Sequence, residues 1–346
     1  MSSKYPCGKP KEVAVGTQAN GFPIKIKYLE KGKSNSVRIL FVDPYLGKEA
    51  WIDQLNEFSE HYHVIAIDLF GYACETPRPT CSETYSYEWL ARQIMSFITI
   101  KEFWNPIFVG VDTAVGVGIK YQSLFGENAA SRFSGIVIVN GSAGPVVTDD
   151  PCLYDVSQIT TAEAAALASA FSADPITTAK QMVSTFFGTN QYPTAVEVVK
   201  NYAAQRLSRM DPAIMNILFN KTFTENLLDE LAKIYVPVQV IYSYMDESSK
   251  CADSRFFRRV ASTRVPYCTG CASSCTNPHT YGIPCNVIYA DIKDKTIFPH
   301  VFSTNKFNYV LEQFVSGKYL KGKLSKSFIS CISKEYKVWM VSYDIF

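Results

Sequence analysis

The stretch Phe108-Val109-Gly110-Val111-Asp112-Thr113-Ala114-Val115-Gly116 constrains this chain more than any other. An apolar run from Ile107 to Val111 meets a turn of small residues, and apolar positions at helical spacing (Val117, Tyr121, Leu124, Phe125) follow at once. Strand, tight turn and helix in that order lift one side chain above a parallel sheet, the layout of a nucleophile elbow. The usual pattern is G-x-S-x-G. Here Gly110 holds the first glycine position, Asp112 the lifted position and Ala114 the last. A carboxylate at such a turn can act as a nucleophile, because it forms ester intermediates without a base to activate it.

Similar apolar runs recur on both sides of the elbow. Val13–Val15 and Ile24–Tyr28 flank an Asn20-Gly21 turn and read as a hairpin. Buried-strand patterns follow at 37–42, 64–68, 135–140, 237–242 and 286–289, with helical spacing between them at Trp51, Leu55 and Phe58 and at Trp89, Leu90, Ile94 and Phe97. Strands alternating with helices predict a mostly parallel sheet flanked by helices, an α/β fold. Residues 150–232 break the alternation. They are Ala-rich, carry Asp-Pro helix starts at Asp174 and Asp211, and contain no strand run, which predicts an inserted helical cap. An amphipathic helix is expected over 300–316, and the tail 317–346 is basic and then apolar.

Composition excludes several classes. A formal net charge of +2 on 346 residues gives no field suited to nucleic acid. No apolar run approaches membrane-spanning length and no secretory leader is visible, so the expectation is a cytoplasmic protein. Ten cysteines are then reduced thiols or metal ligands rather than a disulfide framework.

Taken together, these segments resemble the α/β-hydrolase fold over roughly residues 25–316. Besides the elbow, the resemblance rests on Trp51 after the third strand and on Asp68-Leu69-Phe70-Gly71-Tyr72, with Ala73 at the family's final glycine. It also rests on the strand from Pro237 leading to Asp246, and on Thr296-Ile297-Phe298-Pro299-His300 followed by Phe307, Asn308 and Phe314. The implied fold is a mostly parallel eight-stranded sheet built from 1–149 and 233–316. The cap at 150–232 falls between the sixth and seventh strands, and a Cys-rich insertion at 262–286 lies within the core.

The resemblance also assigns roles. Asp112 takes the nucleophile slot, as in haloalkane dehalogenases and epoxide hydrolases, although Thr113 stands where those enzymes usually carry Trp. Asp246 falls at the triad acid. The base slot, immediately before Phe298-Pro299, holds Ile297, and an alkyl side chain cannot accept a proton. His300 is the remaining candidate base. Three residues of extended chain span about 10 Å, however, and a structural imidazole is the alternative. His61 and His63 precede the fourth strand and read as structural. The oxyanion loop carries Asp43-Pro44-Tyr45 in place of His-Gly, so Asp43, Tyr45 and Thr113 are expected around the site. Asp43 beside Asp112 should raise at least one carboxyl pKa.

Cys268, Cys271 and Cys275, with His279 and Cys285 close behind, offer enough soft ligands for a structural tetrahedral zinc. The same residues also fit a loop of free thiols or a local disulfide, and no other cofactor is indicated. The sequence therefore points first to a hydrolase fold with degraded catalytic machinery, binding a small apolar ligand between cap and sheet or a protein partner. The alternatives are an active hydrolase of esters, epoxides or haloalkanes through Asp112, and a zinc-stabilised interaction module.

Overall fold

The computed structural model describes residues 9–19, 21–71, 85–141, 161–185, 187, 193–217, 225, 227–231, 233–234, 236–243, 287–292, 296–317 and 342–344. Nine strands form one sheet: β1 (Lys11–Thr17), β2 (Pro23–Lys31), β3 (Arg38–Val42), β4 (His63–Ile67), β5 (Ile107–Val111), β6 (Gly135–Val139), β7 (Val238–Ser243), β8 (Val287–Ile292) and β9 (Ser342–Asp344). They lie in the order β1-β2-β4-β3-β5-β6-β7-β8-β9. β1 and β2 pair antiparallel, as do β2 and β4, and every other neighbouring pair is parallel. The burial pattern follows this arrangement. Every residue of β4, β5, β6 and β7 is buried, as suits parallel strands covered on both faces. β2 alternates buried and half-buried positions, as a strand of the antiparallel flank does.

Eight of these strands fall where the apolar runs put them. The ninth corrects the expected count, because Ser342–Asp344 in the tail pairs with β8 and covers an edge that would otherwise expose unpaired backbone groups.

A 3-10 turn (Gly47–Trp51) runs into α1 (Ile52–Phe58), and α2 (Tyr87–Lys101) and α3 (Thr113–Phe125) pack on each other. Ser86 caps α2 by accepting the Trp89 N–H at 3.1 Å. Between β6 and β7 lie α4 (Thr161–Ala173), α5 (Pro175–Thr185), α6 (Pro193–Ser208), α7 (Pro212–Ile217) and α8 (Leu228–Leu231). α5 and α7 begin at the Asp-Pro pairs. The Asp174 carboxylate accepts from Thr177 N–H at 3.1 Å and that of Asp211 from Ala213 N–H at 2.8 Å, engaging amides that lack partners within the helix.

The single helix expected over 300–316 is two, α9 (Pro299–Phe302) and α10 (Thr304–Val315). Ser303, at φ −123° and ψ 41°, leaves helical conformation between them. No helix among the described residues is long and apolar enough to cross a membrane. Asp246 and the whole set Cys268, Cys271, Cys275, His279 and Cys285 lie outside the described residues.

Candidate active site

The elbow backbone is present in full. Asp112 sits between β5 and α3 at φ 46° and ψ −113°, a conformation that costs a non-glycine residue about 1–3 kcal/mol. It is held there by its N–H, which donates to Val139 C=O at 3.0 Å, and by its C=O, which accepts from Val115 N–H at 2.9 Å. Gly110 permits the turn, since a Cβ there would lie 2.6 Å from the Phe108 ring.

Two hydroxyls meet the lifted carboxylate. The Tyr45 hydroxyl donates to Asp112 Oδ2, and the Thr113 hydroxyl donates to the same oxygen at 3.1 Å. The two hydroxyl oxygens are 3.2 Å apart, which closes a triangle. Burial pushes the Asp112 carboxyl above the ordinary aspartate value, and the nearby Asp43 carboxylate adds to the rise; the hydrogen bonds from Tyr45 and Thr113 oppose it. Tyr87, buried close by, is driven far above the usual phenol value by burial, with Asp112 contributing. It therefore stays protonated and cannot serve as a base.

Asp43 is fully buried and turned into its own loop. Its Oδ1 accepts the N–H groups of Tyr45 and Leu46, each at 2.8 Å. Its C=O accepts from Gly47 N–H at 3.0 Å, and Lys48 N–H donates to Asp68 Oδ1 at 3.1 Å. Pro44 has no N–H. From 44 to 48, the loop that in this layout supplies one of the two oxyanion donors has every amide engaged internally. Sequence reasoning placed Asp43 as charge facing the site. Its Asp-Pro-x pattern is also that of a side chain bonding the backbone two residues on, and that signal carries the observed role.

His300 does not contact Asp112. Its Nε2 lies 3.1 Å from Asp43 Oδ2, both groups are fully buried, and the ring stacks on Trp51 at 4.1 Å between centroids. The contact is close enough for an ion pair, but neither ring nitrogen is aligned for a hydrogen bond among the described residues. Ile297, in the base slot, is half-buried, and its C=O accepts from Asn140 Nδ2 at 3.0 Å. Ser243, at the end of β7, ties the same segment down through Thr296 C=O and Asn140. The segment is thus anchored at the carboxyl ends of β6 and β7, the edge where ligands bind in an open α/β sheet. His61 is exposed at the amino-terminal side of β4. His63 packs edge-on to Phe103 and lies 3.0 Å from Glu30 Oε1.

A second group of charges, with no signal in the sequence, lies beside the loop. Arg206 of α6 reaches Asp68 at 3.1 Å and Glu49 at 3.8 Å, while Lys48 reaches Asp68 at 2.6 Å and Glu49 at 2.7 Å. Two cations and two anions close the set. Gly47 makes room for it, since at φ +72° its Cβ would lie 2.4 Å from both the Arg206 guanidinium and the Asp68 carboxylate.

Neither a protein-family model nor a curated protein matches the sequence. Solved structures do match in shape. A bromoperoxidase from Bacillus anthracis aligns at 18% identity and a TM-score of 0.69, covering 89% of this chain and all (100%) of the other. A thermophilic esterase from Thermogutta terrifontis aligns at 14% identity and TM-score 0.64, covering 89% and 98%. An enol-lactonase from Burkholderia xenovorans aligns at 15% and 0.64, covering 84% and 96%. With the strand order and the elbow geometry already in place, these likenesses identify the architecture: the chain has the α/β-hydrolase fold.

Proposed function

We propose that this protein is a binding or scaffold member of the α/β-hydrolase fold whose hydrolytic machinery is degraded. Helices α4–α8 serve as a cap, and a small apolar ligand or a protein partner is held where the cap meets the carboxyl edge of the sheet. The observation that carries this reading is the engagement of every amide from 44 to 48, which leaves that loop without a donor for a developing oxyanion. Ile297 in the base position supports it. An ester formed on Asp112 would still need a base-activated water to release it. Ten cysteines suit a reducing compartment such as the cytosol.

The solved neighbours named above are enzymes, so the reading is tested by activity. Purified protein is incubated with panels of aryl esters, lactones, epoxides and haloalkanes. No turnover above the uncatalysed rate is expected. Turnover that disappears in Asp112→Ala would establish an active hydrolase instead.

A further inference from the structure

We propose that the Asp112 site takes a ligand bearing a cationic nitrogen on an apolar body, an alkyl- or arylammonium, with Asp112 as its counter-ion; this rests on the reading of the elbow as a binding position. Asp112 is half-buried, whereas Tyr45, Thr113 and Tyr87 around it are buried, so Asp112 is the most accessible residue of the four. Both hydroxyls lie within hydrogen-bonding reach of the Asp112 carboxylate and of each other, and a hydroxyl can accept as well as donate, so the site is rich in acceptors.

Among the described residues no lysine or arginine pairs with Asp112. Cations elsewhere in the described structure have anions of their own: Lys48 and Arg206 on Asp68 and Glu49, Lys120 on Glu225 and Glu230, and Lys200, beside Phe187, on Glu197. The amino end of α3 offsets only about half a charge, against the two carboxylates of Asp112 and Asp43. His300 lies on the far oxygen of Asp43, not on Asp112. A carboxylate or carbonyl ligand would therefore find like charge and no loop amide to bind, whereas an ammonium finds acceptors.

Aromatic rings back the same place. Tyr45 packs edge-on to Phe298 at 6.4 Å, and Phe298 lies 5.5 Å from Phe187, next to the end of α5. These rings are buried and make the surroundings of Asp112 apolar, which suits the body of such a ligand, and the Phe187 ring already carries the Lys200 ammonium at 5.5 Å.

Titration calorimetry of the full chain with hexylammonium, hexanol and hexanoate tests the proposal. A charge-assisted hydrogen bond should make hexylammonium bind about tenfold or more tightly than hexanol, with hexanoate weakest. Asp112→Asn, which keeps the shape and removes the charge, should abolish that preference. Tyr45→Phe, which leaves the charge with one donor fewer, should keep it. Equal binding of hexylammonium and hexanol would overturn the cationic ligand while leaving a binding role intact. Retention of the preference in Asp112→Asn would overturn the assignment to this carboxylate, and binding of none of the three would overturn the proposal outright. Turnover of the ester or epoxide panel would instead strike the non-catalytic reading.

Discussion

Asp112 carries two costs at once: a left-handed backbone and a carboxylate in a setting that disfavours its charge. Because its pKa is raised on folding, its contribution to stability is full below the unfolded value near 4 and is lost as pH climbs through the folded value. Among the described residues, Asp43 lies near enough to add to the rise, and Tyr87, driven far above the usual phenol value by burial, stays protonated throughout. Asp112→Asn should therefore flatten the fall in melting temperature as pH rises above about 4, and should melt higher than the native protein once Asp112 is ionised. Thermal melts across that range check it, and parallel curves for the two proteins would contradict it. The neighbouring loop residue was partly legible. Asp43 was expected to raise a carboxyl pKa by like charge; the Asp112 carboxyl is raised, but chiefly by burial, with Asp43 a lesser cause. That Asp43 would bind the amides behind it and meet His300 depends on how the loop folds back, and a list of charges does not contain that information.

Among the elements, the hairpin edge and the α6 contact carry separate consequences. Glu30 of β2 meets His63 of β4, Lys11 of β1 and Lys101 of α2, at 3.0, 2.9 and 3.5 Å. The hydrogen bond with His63, followed by the two lysines, outweighs burial and holds Glu30 down at about 2 from 4.5. A depressed carboxyl stabilises above its unfolded value and loses that contribution as pH falls through the folded one. Glu30→Gln should thus cost about 1–3 kcal/mol at neutral pH and less as pH falls from about 4.5 towards 2. Denaturant melts at several pH values read this out, and a cost that persists at the acid end would contradict it.

On the other side, Gly47→Ala forces a Cβ into the Arg206–Asp68 pair at positive φ, and about 1–3 kcal/mol should be lost. Arg206→Met should cost no more than the roughly 3 kcal/mol typical of breaking a buried pair, because Lys48 still faces Asp68. Hydrogen exchange should then rise in α6 before it rises in β3–β7. Unchanged exchange in α6 would mean that the pair does not hold these helices down. None of this was visible in the sequence, where Lys48, Glu49, Asp68 and Arg206 are scattered charges on three different elements. The strands were visible, because Val- and Ile-rich runs such as 135–139 can only be buried.

For the molecule as a whole, architecture and chemistry were legible to different degrees. Strand-helix alternation pointed to a mostly parallel sheet flanked by helices, and the eight-strand count came with the resemblance to the α/β-hydrolase fold. The tail strand β9 escaped because a three-residue strand has no periodicity to read. The chemistry required partners from distant parts of the chain: β3's loop, the elbow, and the segment from Thr296 to His300. Only the folded chain brings together the engaged amides of the first, the buried carboxylate of the second and the Ile297 and His300 side chains of the third.

The account stands most directly on how much product the protein can release. Native protein and Asp112→Ala are each incubated with an excess of an epoxide and of a haloalkane, with product and intact protein mass followed over time. Product should not exceed a single equivalent per chain, and any mass increment on the native protein should persist. Many equivalents of product, with a mass increment that forms and decays and is absent from Asp112→Ala, would contradict it.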